Sequence, residues 1–475
     1  MALLPLPVTL AAILSLLCIP FICAVPLNCT STPTLDISYP PSSSSHTRTL
    51  FDIIQSCAAT LLACSWAAIH PNIPGMDEGR MTIFFRRLSI MVMALIAPEL
   101  MVTWATMQFL SARDAAKTFN AFFNAQLHQA HKIHSESTAT LLSEISTSGR
   151  TSSPHLSPPH VASRACPEWT VTHGFFAWMG GFMLYFNDKP RAPLTPTELQ
   201  RFVDEGSVEM PVIMEEELDA VSKSDAFSKG IAILQLAWFV LQLVARYIQN
   251  LPTTLLEIDT LAVVALACIS YGLWWTKPKD VRRPRPVYWK EHDKSPPAEL
   301  TYEKSNTEFS LNGWHHYLLL VIYPLRSLMG TRVTISPRAV RERRIPALGG
   351  YDDSNPHDNN HVITLFVGCF SAFISGGVHC FGWYYLFQGH TEQILWRATS
   401  LVTASASLPL LLIFGWVILF DFDEDSWVVR WSVATIAFIY IATRLTVIVL
   451  IVFSLQSLPA GTYDVVAWTT FVPHV

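Results

Sequence analysis

Residues 88–110 read LSIMVMALIAPELMVTWATMQFL, an apolar run long enough to cross the hydrocarbon of a membrane as a helix. Near its centre the run places Pro98 beside Glu99, its only charged residue. A carboxylate in hydrocarbon is costly unless it is paired or protonated, so Glu99 needs a partner or a purpose. Pro98 removes one backbone donor and frees the carbonyl of Ala94. The stretch predicts either a polar site in a loosened helix or a kink in which a protonated or hydrogen-bonded Glu99 only fixes packing.

The composition extends this interpretation to the whole chain. Of 475 residues, 51% are hydrophobic and 15% are charged, whereas soluble chains are usually nearer a quarter charged. The apolar runs are continuous rather than alternating, which favours helices over a barrel. We predict an all-α, multipass transmembrane helical bundle of about eight spans, surrounded by membrane lipids. The expected spans are 53–69, 88–110, 169–186, 228–249, 253–275, 361–386, 395–419 and 428–454, with an interfacial or re-entrant segment at 314–325.

Basic residues in the loops orient these spans. Residues 70–87, 276–313 and 326–344 are rich in Arg and Lys, and the positive-inside rule places all three on the cytosolic side. Eight crossings with both chain ends luminal satisfy this requirement. This topology of eight crossings requires that residues 169–186 cross the membrane and that residues 314–325 do not.

The N-terminal segment indicates the secretory pathway. Residues 1–25 have the apolar core of a signal peptide or signal anchor, and Asn28 begins an N-glycosylation acceptor, NCT. We therefore expect an integral protein of the endoplasmic reticulum or the plasma membrane. The predicted topology puts Cys29 and Cys166 on the oxidising luminal side, where they either form a disulfide or remain two free thiols.

The chain divides into six segments by composition. After the second predicted span it becomes polar, with an amphipathic helix at 112–134 followed by a stretch rich in Ser, Thr and Pro. Such a stretch buries too little apolar surface to order itself. The predicted segments are the signal at 1–25, a luminal start and two spans at 26–110, a luminal amphipathic helix and disordered linker at 111–168, three spans with a cytosolic helical insert (187–227) at 169–275, a basic cytosolic region at 276–360, and three C-terminal spans at 361–475.

Polar residues inside the apolar runs are the candidate functional residues. Glu99 and His173 are candidate catalytic groups, an acid or base with a proton carrier, because histidine titrates near neutral pH. In the alternative reading, His173 only forms a hydrogen bond near the membrane interface. An enzyme built this way needs a closed cavity around Glu99. We expect that cavity to be lined by Trp104, Trp178 and Trp238.

One face of the run 228–249 supplies candidate binding residues, because polar side chains recur there at intervals of seven and four. In one reading this face points into a bundle interior shared with Glu99. In the other, Arg246 pairs with Glu257 near the luminal boundary and the face only packs. The candidate binding residues are Gln235, Trp238, Gln242 and Arg246.

Several classes of function have no signal in the sequence. We find no Gly-rich phosphate loop, no CxxC pair and no nucleophile elbow, and we predict no cofactor. His379 and Cys380 are adjacent and point to different helix faces, so we predict no metal site there. The acidic clusters at 352–358 and 421–425 are expected to be solvated loops. No basic patch with interleaved aromatic residues indicates a nucleic acid, which leaves lipids and a lipophilic small molecule as the expected partners.

Four motifs stand out: AIHPNIPG at 68–75, ALIAPEL at 94–100, WTVTHGFFAWMGGF at 169–182 and SKGIAILQLAWFVLQ at 228–242. With them the chain resembles a large, mostly uncharacterised group of fungal multipass integral membrane proteins, from about residue 48 to its end. The resemblance implies a fungal source and a setting near gene clusters of secondary metabolism. It implies no established activity and no catalytic residue. The stretch 128–165 departs from the group and resembles an insertion.

Three functions are compatible with these observations. The first is an embedded enzyme, or an accessory protein, of the biosynthesis of a lipophilic secondary metabolite. The second is a transporter or channel, which needs a polar path that reaches both sides of the membrane. The third is a receptor or scaffold that acts through its cytosolic pieces, in which case the buried polar residues only pack.

Overall fold

The computed structural model describes residues 47–147, 168–221, 225–290, 296–297, 299–304, 335, 337–352, 359–419, 427–459 and 461–467. This part of the chain is mostly helical, which confirms the predicted class in its coarse form. In chain order the elements are α1 (Leu50–Ala68), α2 (Arg80–Ile96), α3 (Pro98–Thr147), α4 (Val171–Trp178), β1 (Phe182–Phe186), β2 (Lys189–Pro193), α5 (Pro196–Asp204), α6 (Glu215–Val221), α7 (Asp225–Ile248), α8 (Leu255–Leu273), β3 (Arg285–Tyr288), α9 (Pro337–Arg341), α10 (Asn359–His379), a 3₁₀ turn (Cys380–Tyr384), α11 (His390–Ser405), α12 (Ser407–Leu419) and α13 (Trp427–Ser454).

Within the described ranges, six helices are long and apolar enough to cross a membrane. Local signals fix where two of them begin. The hydroxyl of Thr49 accepts a bond from the N–H of Asp52 at the start of α1, and Thr254 does the same for Glu257 at the start of α8. The six helices match six of the eight predicted spans, namely 53–69, 228–249, 253–275, 361–386, 395–419 and 428–454.

The run 88–110 does not form one straight helix. α2 ends at Ile96, α3 begins at Pro98, and the two helices are bent by 114° at this break. Pro98 has no N–H with which to continue α2, but its fixed φ suits the first position of a new helix. α2 and the first part of α3 therefore form a helical hairpin, which is either one broken span or a re-entrant loop.

Both arms of this hairpin return to the same end of the bundle. Arg87 on α2 pairs with Asp280 at 2.8 Å, and Gln108 on α3 accepts a bond from Lys277 at 2.8 Å. The break at Ala97 lies about ten residues from each of these contacts, which is about 15 Å along either helix. α3 then continues for 50 residues in all, so the amphipathic helix predicted at 112–134 is part of it.

Residues 169–186 do not form a span. They fold as α4, which has 8 residues, followed by the strand β1. Gly180 has a φ of +88°, and a Cβ on Gly181 would lie 2.4 Å from the ring of Phe176, so the two glycines turn the chain back on α4. The segment is apolar because it fills the core of a small domain. The prediction of eight helical spans is corrected on this point.

The small domain contains a three-stranded sheet in the order β2-β1-β3, with β1 antiparallel to β2 and parallel to β3. The all-α prediction is therefore incomplete. The segment 187–227, predicted as a separate helical insert, supplies β2, α5 and α6 to this domain. Its core draws on α3 as well, where Phe119 stacks on Trp169 at 3.8 Å. Other core residues are Phe176, Phe182, Leu199, Phe202, Val287 and Leu300.

The bundle has two distinct ends. At the basic end, the loops 69–79, 274–281 and 342–351 lie together, and the small domain joins the bundle there. At the opposite end, Arg48 pairs with Glu257 at 2.6 Å, which fixes the start of α1 to the start of α8. The segment 462–464 packs against the same end. Both termini of the described chain thus lie at the opposite end.

The close packing of α10 on α11 depends on Gly376. A Cβ there would lie 2.3 Å from the backbone nitrogen of Ala404. We expect Gly376→Ala to lower the free energy of unfolding by about 1–3 kcal/mol, because neither backbone can retreat without losing contacts. Thermal unfolding of the purified protein in detergent measures the loss.

Gly272→Ala is the matched control for that prediction. A Cβ on Gly272 meets nothing within 4 Å, and alanine favours a helix over glycine, so its stability should be unchanged or slightly higher. Equal melting temperatures for the two variants would contradict the close approach of α10 and α11.

Candidate functional site

The α2–α3 break brings a carboxylate into the bundle. Glu99 lies in the first turn of α3 and is 6% exposed. The hydroxyl of Tyr440 on α13 donates to its Oε2 at 2.5 Å. Its Oε1 is buried and has no hydrogen-bond partner among the described residues. The carboxylate therefore faces the positive end of α3 with one oxygen held and the other available.

Arg444 lies one turn further along α13 and binds the other side of the break. Its Nε donates to the carbonyl of Ile96 at 3.0 Å, at the C-terminus of α2 where carbonyls have no helical partner. Its Nη1 is 3.8 Å from Oδ1 of Asp259 on α8 and forms no hydrogen bond within the described ranges. A cation at the end of α2 and a carboxylate at the start of α3 both complement the helix dipoles.

Asp259 and His379 contact each other inside the bundle. The Nδ1 of His379 is 2.6 Å from the carbonyl oxygen of Ser375, which can only accept, so Nδ1 carries a hydrogen. The Nε2 of the same ring is 3.0 Å from Oδ1 of Asp259. A neutral ring with its hydrogen on Nδ1 would present a lone pair to the carboxylate and repel it. A hydrogen between the two side chains, on an imidazolium or on a carboxylic acid, makes this contact favourable.

Arg444 is the cation beside these side chains, and Glu99 and Asp259 are its acidic neighbours. Buried charges cost least when they are compensated. We call Glu99, Asp259, His379, Tyr440 and Arg444 the charge cluster.

A line of small polar side chains is spaced along α10 between the basic end and the charge cluster. Near its start, Asn360 donates to Asp114 of α3 at 2.6 Å, and about 30 Å further on α10 ends at His379. The Oγ of Ser375 is buried and has no partner in the described structure. The buried polar residues of α10 are Thr364, Ser371, Ser375 and His379, each at most 6% exposed.

His173 does not lie with Glu99, contrary to the predicted acid–base pair. It belongs to α4 in the small domain, where its Nδ1 accepts from the N–H of Thr170 at 3.1 Å and its Nε2 contacts the carbonyl of Ile213 at 3.1 Å. Both nitrogens therefore hold the start of α4. The expected tryptophan cavity around Glu99 is also not formed. Trp104 is fully buried, Trp178 donates to the carbonyl of Ser111, and Trp238 is 48% exposed on α7.

The candidate binding face of α7 serves packing contacts. Gln235 donates to the hydroxyl of Thr60 on α1 at 3.0 Å, and Gln242 lies half-buried on α7. Arg246 donates to the backbone carbonyls of Pro252, Thr462 and Asp464. The predicted pairing of Arg246 with Glu257 is wrong, because Glu257 pairs with Arg48 instead. This face does not reach the charge cluster.

Three predicted modification residues, Asn28, Cys29 and Cys166, lie outside the described residues. Among the cysteines that the structure describes, none forms a disulfide. No group of three or more His, Cys, Asp or Glu side chains in the described part of the chain is arranged to hold a metal ion.

Four members of the charge cluster were not predicted as site residues. The clearest missed signal is Arg444, the single charge in the run IYIATRLTVIVL at 439–450, since a charge inside an apolar run needs the same explanation as Glu99. Asp259 lies close to Glu257 at the start of a predicted helix, and His379 admits the same two interpretations as His173, a proton carrier or a side chain that only forms a hydrogen bond near the interface. Neither pattern showed that the two side chains meet.

A second buried polar group surrounds Lys277 at the basic end. The side chain is 3% exposed, and its Nζ donates to Oδ1 of Asn72 at 3.0 Å and to Oε1 of Gln108 at 2.8 Å. Burial lowers the pKa of Lys277 to about 7. A neutral amine has two N–H donors, which match the two amide oxygens. The amide nitrogens of Asn72 and Gln108 both donate to the carbonyl of Gly349, so this group ties three loops together.

The fold and the site define a class of protein: a bundle with six apolar helices, a broken helical hairpin and a buried charge cluster at the tip of that hairpin. Residues 16–298 match DUF8562, a family of unknown function, over more than half of the chain, and the protein belongs to this family. No curated protein and no solved structure matches it. The matched part includes Glu99, Asp259 and Lys277, whereas α13 lies beyond it.

Proposed function

We propose that the protein is an integral membrane protein with six crossings and one re-entrant hairpin. Its helices expose large apolar side chains, such as Leu234 (72% exposed), Phe366 (58%) and Phe438 (72%), on a scale that is rare for a surface in water. Exposed aromatic residues near the helix ends fit two membrane interfaces. They are Trp66 and Trp275 at the basic end, and Tyr247 and Tyr384 at the opposite end.

The positive-inside rule then orients the bundle with its basic end in the cytosol. Six crossings leave both termini of the described chain on the luminal side, where the N–H of Arg48 donates to the carbonyl of Tyr463 at 2.8 Å. The small domain lies on the cytosolic side, and so do residues 111–147 of the segment 111–168 that was predicted to be luminal. The pairing of Cys29 with Cys166 stays a prediction. A secretory-pathway membrane, with Asn28 glycosylated, completes the proposal.

Within that membrane we infer that the protein is a proton-linked transporter. The observation that carries this inference is the buried contact of His379 with Asp259, in the same cluster as the available oxygen of Glu99. Ionisable residues inside a membrane are costly and usually mark ion or proton pathways. Interrupted helices near the midplane build the binding sites of many transporters. The hairpin break, about 15 Å below the basic end, lies near half the hydrocarbon thickness.

The charge cluster provides two states that differ by one proton. With the proton bound, its charges balance. After release, the cluster carries one net negative charge, which increases the attraction of Asp259 for Arg444. The 3.8 Å gap between them then closes by a small movement. Because Arg444 also holds the carbonyl of Ile96 at the end of α2, this movement pulls on the hairpin tip and couples the proton to the position of the break.

The proposed cargo follows from the resemblance to fungal membrane proteins. We propose a lipophilic small molecule of secondary metabolism, for which the polar line of α10 supplies the proton path. The embedded enzyme was expected to need Trp104, Trp178 and Trp238 around Glu99, and these three residues lie in different places. The geometry therefore supports transport better than catalysis.

Asp259→Asn should abolish proton exchange and keep the fold, since an amide N–H can donate to Nε2 of His379 without an added proton. We expect infrared difference spectra recorded over pH to lose the signal of this exchangeable proton. We also expect proton flux into proteoliposomes under an imposed pH gradient to fall at least about tenfold, as when a positioned proton carrier is removed. Glu99→Gln should lower the flux as well.

The control variant is Glu392→Gln, which changes a half-buried carboxylate in the first turn of α11, away from the charge cluster. Its spectra and flux should match those of the wild type. A wild-type flux equal to that of empty vesicles would contradict transport. An unchanged infrared signal in Asp259→Asn would contradict the proton assigned to this pair.

A further inference from the structure

The segment 461–467 lies across the opposite end of the bundle, and we call it the strap. Its side chains contribute little to the apolar core. Only Thr462 and Val466 are buried, whereas Tyr463 is 37% exposed and Val465 is 44% exposed. Polar contacts therefore hold the strap in place.

Three side chains of the bundle, those of Arg48, Arg246 and Gln249, bind the backbone of the strap. The two arginines donate three hydrogen bonds to its carbonyl oxygens, with distances between 2.7 and 3.1 Å. The amide of Gln249 binds the N–H and the carbonyl of one residue, at 3.1 and 3.0 Å. A segment held by hydrogen bonds and few apolar contacts opens locally at a lower free-energy cost than a core helix. The backbone groups bound in this way belong to Thr462, Asp464 and Ala467.

The strap is tied to the helix that carries Asp259. Arg48, which binds the strap, also pairs with Glu257 at 2.6 Å in the first turn of α8. Asp259 follows two residues later, about 3 Å further along the helix axis. It lies about 6 Å from the start of α8 at Leu255 and about 21 Å from the other end of that helix. The strap therefore lies at the end of the bundle that is nearer to Asp259.

We propose that the strap is a luminal gate. When it is bound, it closes the charge cluster to luminal water and protons, and it opens once in each transport cycle. The proposal rests on the proton-linked transport proposed above. The Nε of Arg246 and the Oγ1 of Thr462 are buried and have no hydrogen-bond partner in the described part of the chain. Water that enters on opening would bind both atoms, which lowers the cost of opening.

A reversible disulfide tests the gate. Thr47 and Asp464 are exposed and lie opposite each other in an antiparallel bridge. Their Cα atoms are therefore about 4.5–5.5 Å apart, a separation that a disulfide can span. We expect the double variant Thr47→Cys with Asp464→Cys, once oxidised, to lower proton flux into proteoliposomes to the level of empty vesicles. Reduction with dithiothreitol should restore the flux.

Each single cysteine variant, treated with the same oxidant, is a control and should keep the wild-type flux. Non-reducing peptide mapping verifies the disulfide in the double variant. Wild-type flux that persists in the oxidised double variant would overturn the gate alone. A wild-type flux equal to that of empty vesicles would overturn the proposed transport, and the gate with it.

Hydrogen exchange measures opening of the strap without transport. In the wild type the amides of the strap should exchange faster than those of α8, and equal protection of the two would overturn the gate. Gln249→Ala should speed exchange of the strap about tenfold, the effect of losing two neutral hydrogen bonds. Gln456→Ala is the matched control, because Gln456 is an exposed glutamine just after α13, and its strap should exchange like that of the wild type. Unchanged exchange in Gln249→Ala would contradict the contacts that hold the gate closed.

Discussion

Arg444→Leu should lower the free energy of unfolding by about 3–5 kcal/mol, a loss large enough to remove most of the folded protein. Arg444 is 1% exposed, and its loss leaves Asp259 and Glu99 buried without their cation. The carbonyl of Ile96 also loses its donor at the end of α2. Leucine replaces the volume but neither the charge nor the hydrogen bond. Yield on size exclusion and thermal unfolding in detergent measure the effect.

Arg397→Leu is the matched control within the bundle. Arg397 on α11 donates to the carbonyl of Trp383 at 3.1 Å and lies over its ring, so its described contacts are a carbonyl and a ring. We expect Arg397→Leu to lower the free energy of unfolding by about 1 kcal/mol, the contribution of one hydrogen bond. Asp259→Asn combined with Arg444→Leu should recover part of the loss, because it removes one uncompensated charge. Strict additivity of the two changes would contradict their ion pair.

The apolar helices could be predicted because length and composition alone identify them, and threonine caps mark the starts of α1 and α8. Length and composition gave a wrong prediction of a span at 169–186, because the core of a small domain is as apolar as a lipid-facing helix. The paired glycines at 180 and 181 are compatible with close helix packing in the sequence, whereas in the structure they end α4 and lead into β1. Hydropathy without periodicity cannot separate these cases.

The charge cluster could be predicted only in part. Glu99 was identified because its burial is costly, and Pro98 pointed to the break beside it. Its partners could not be found in the same way, since Tyr440 lies 341 positions away and reaches Glu99 only through the packing of α13 on the hairpin. Lys277 was missed for another reason. It follows the last apolar residues of α8 and reads as an ordinary basic loop residue, although the hairpin buries it.

Stability should rise with pH because of Lys277. Burial lowers its pKa from 10.5 to about 7 in the folded chain. Between these two values the unfolded chain binds a proton that the folded chain does not, so each pH unit adds about 1.4 kcal/mol to the free energy of unfolding. Below pH 7 both states are protonated and the contribution is constant. We expect a gain of about 2–3 kcal/mol from about pH 7.5 to about pH 9.5, measured by denaturant unfolding.

Lys277→Met should remove this dependence, whereas Lys290→Met, at an exposed lysine paired with Glu209, should retain it. Methionine fills the site but leaves the oxygen of Asn72 without the lysine donor, while that of Gln108 keeps only the indole N–H of Trp274, which costs about 1–3 kcal/mol at high pH. Near pH 7 and below, the folded wild type buries a charged ammonium, whereas the folded variant does not. This difference stabilises the variant relative to the wild type and offsets its lost hydrogen bonds. Plotted against pH, the free energies of unfolding of the wild type and Lys277→Met should therefore converge as the pH falls. Parallel curves would mean that the two amide oxygens hold a charged ammonium as well as they hold a neutral amine.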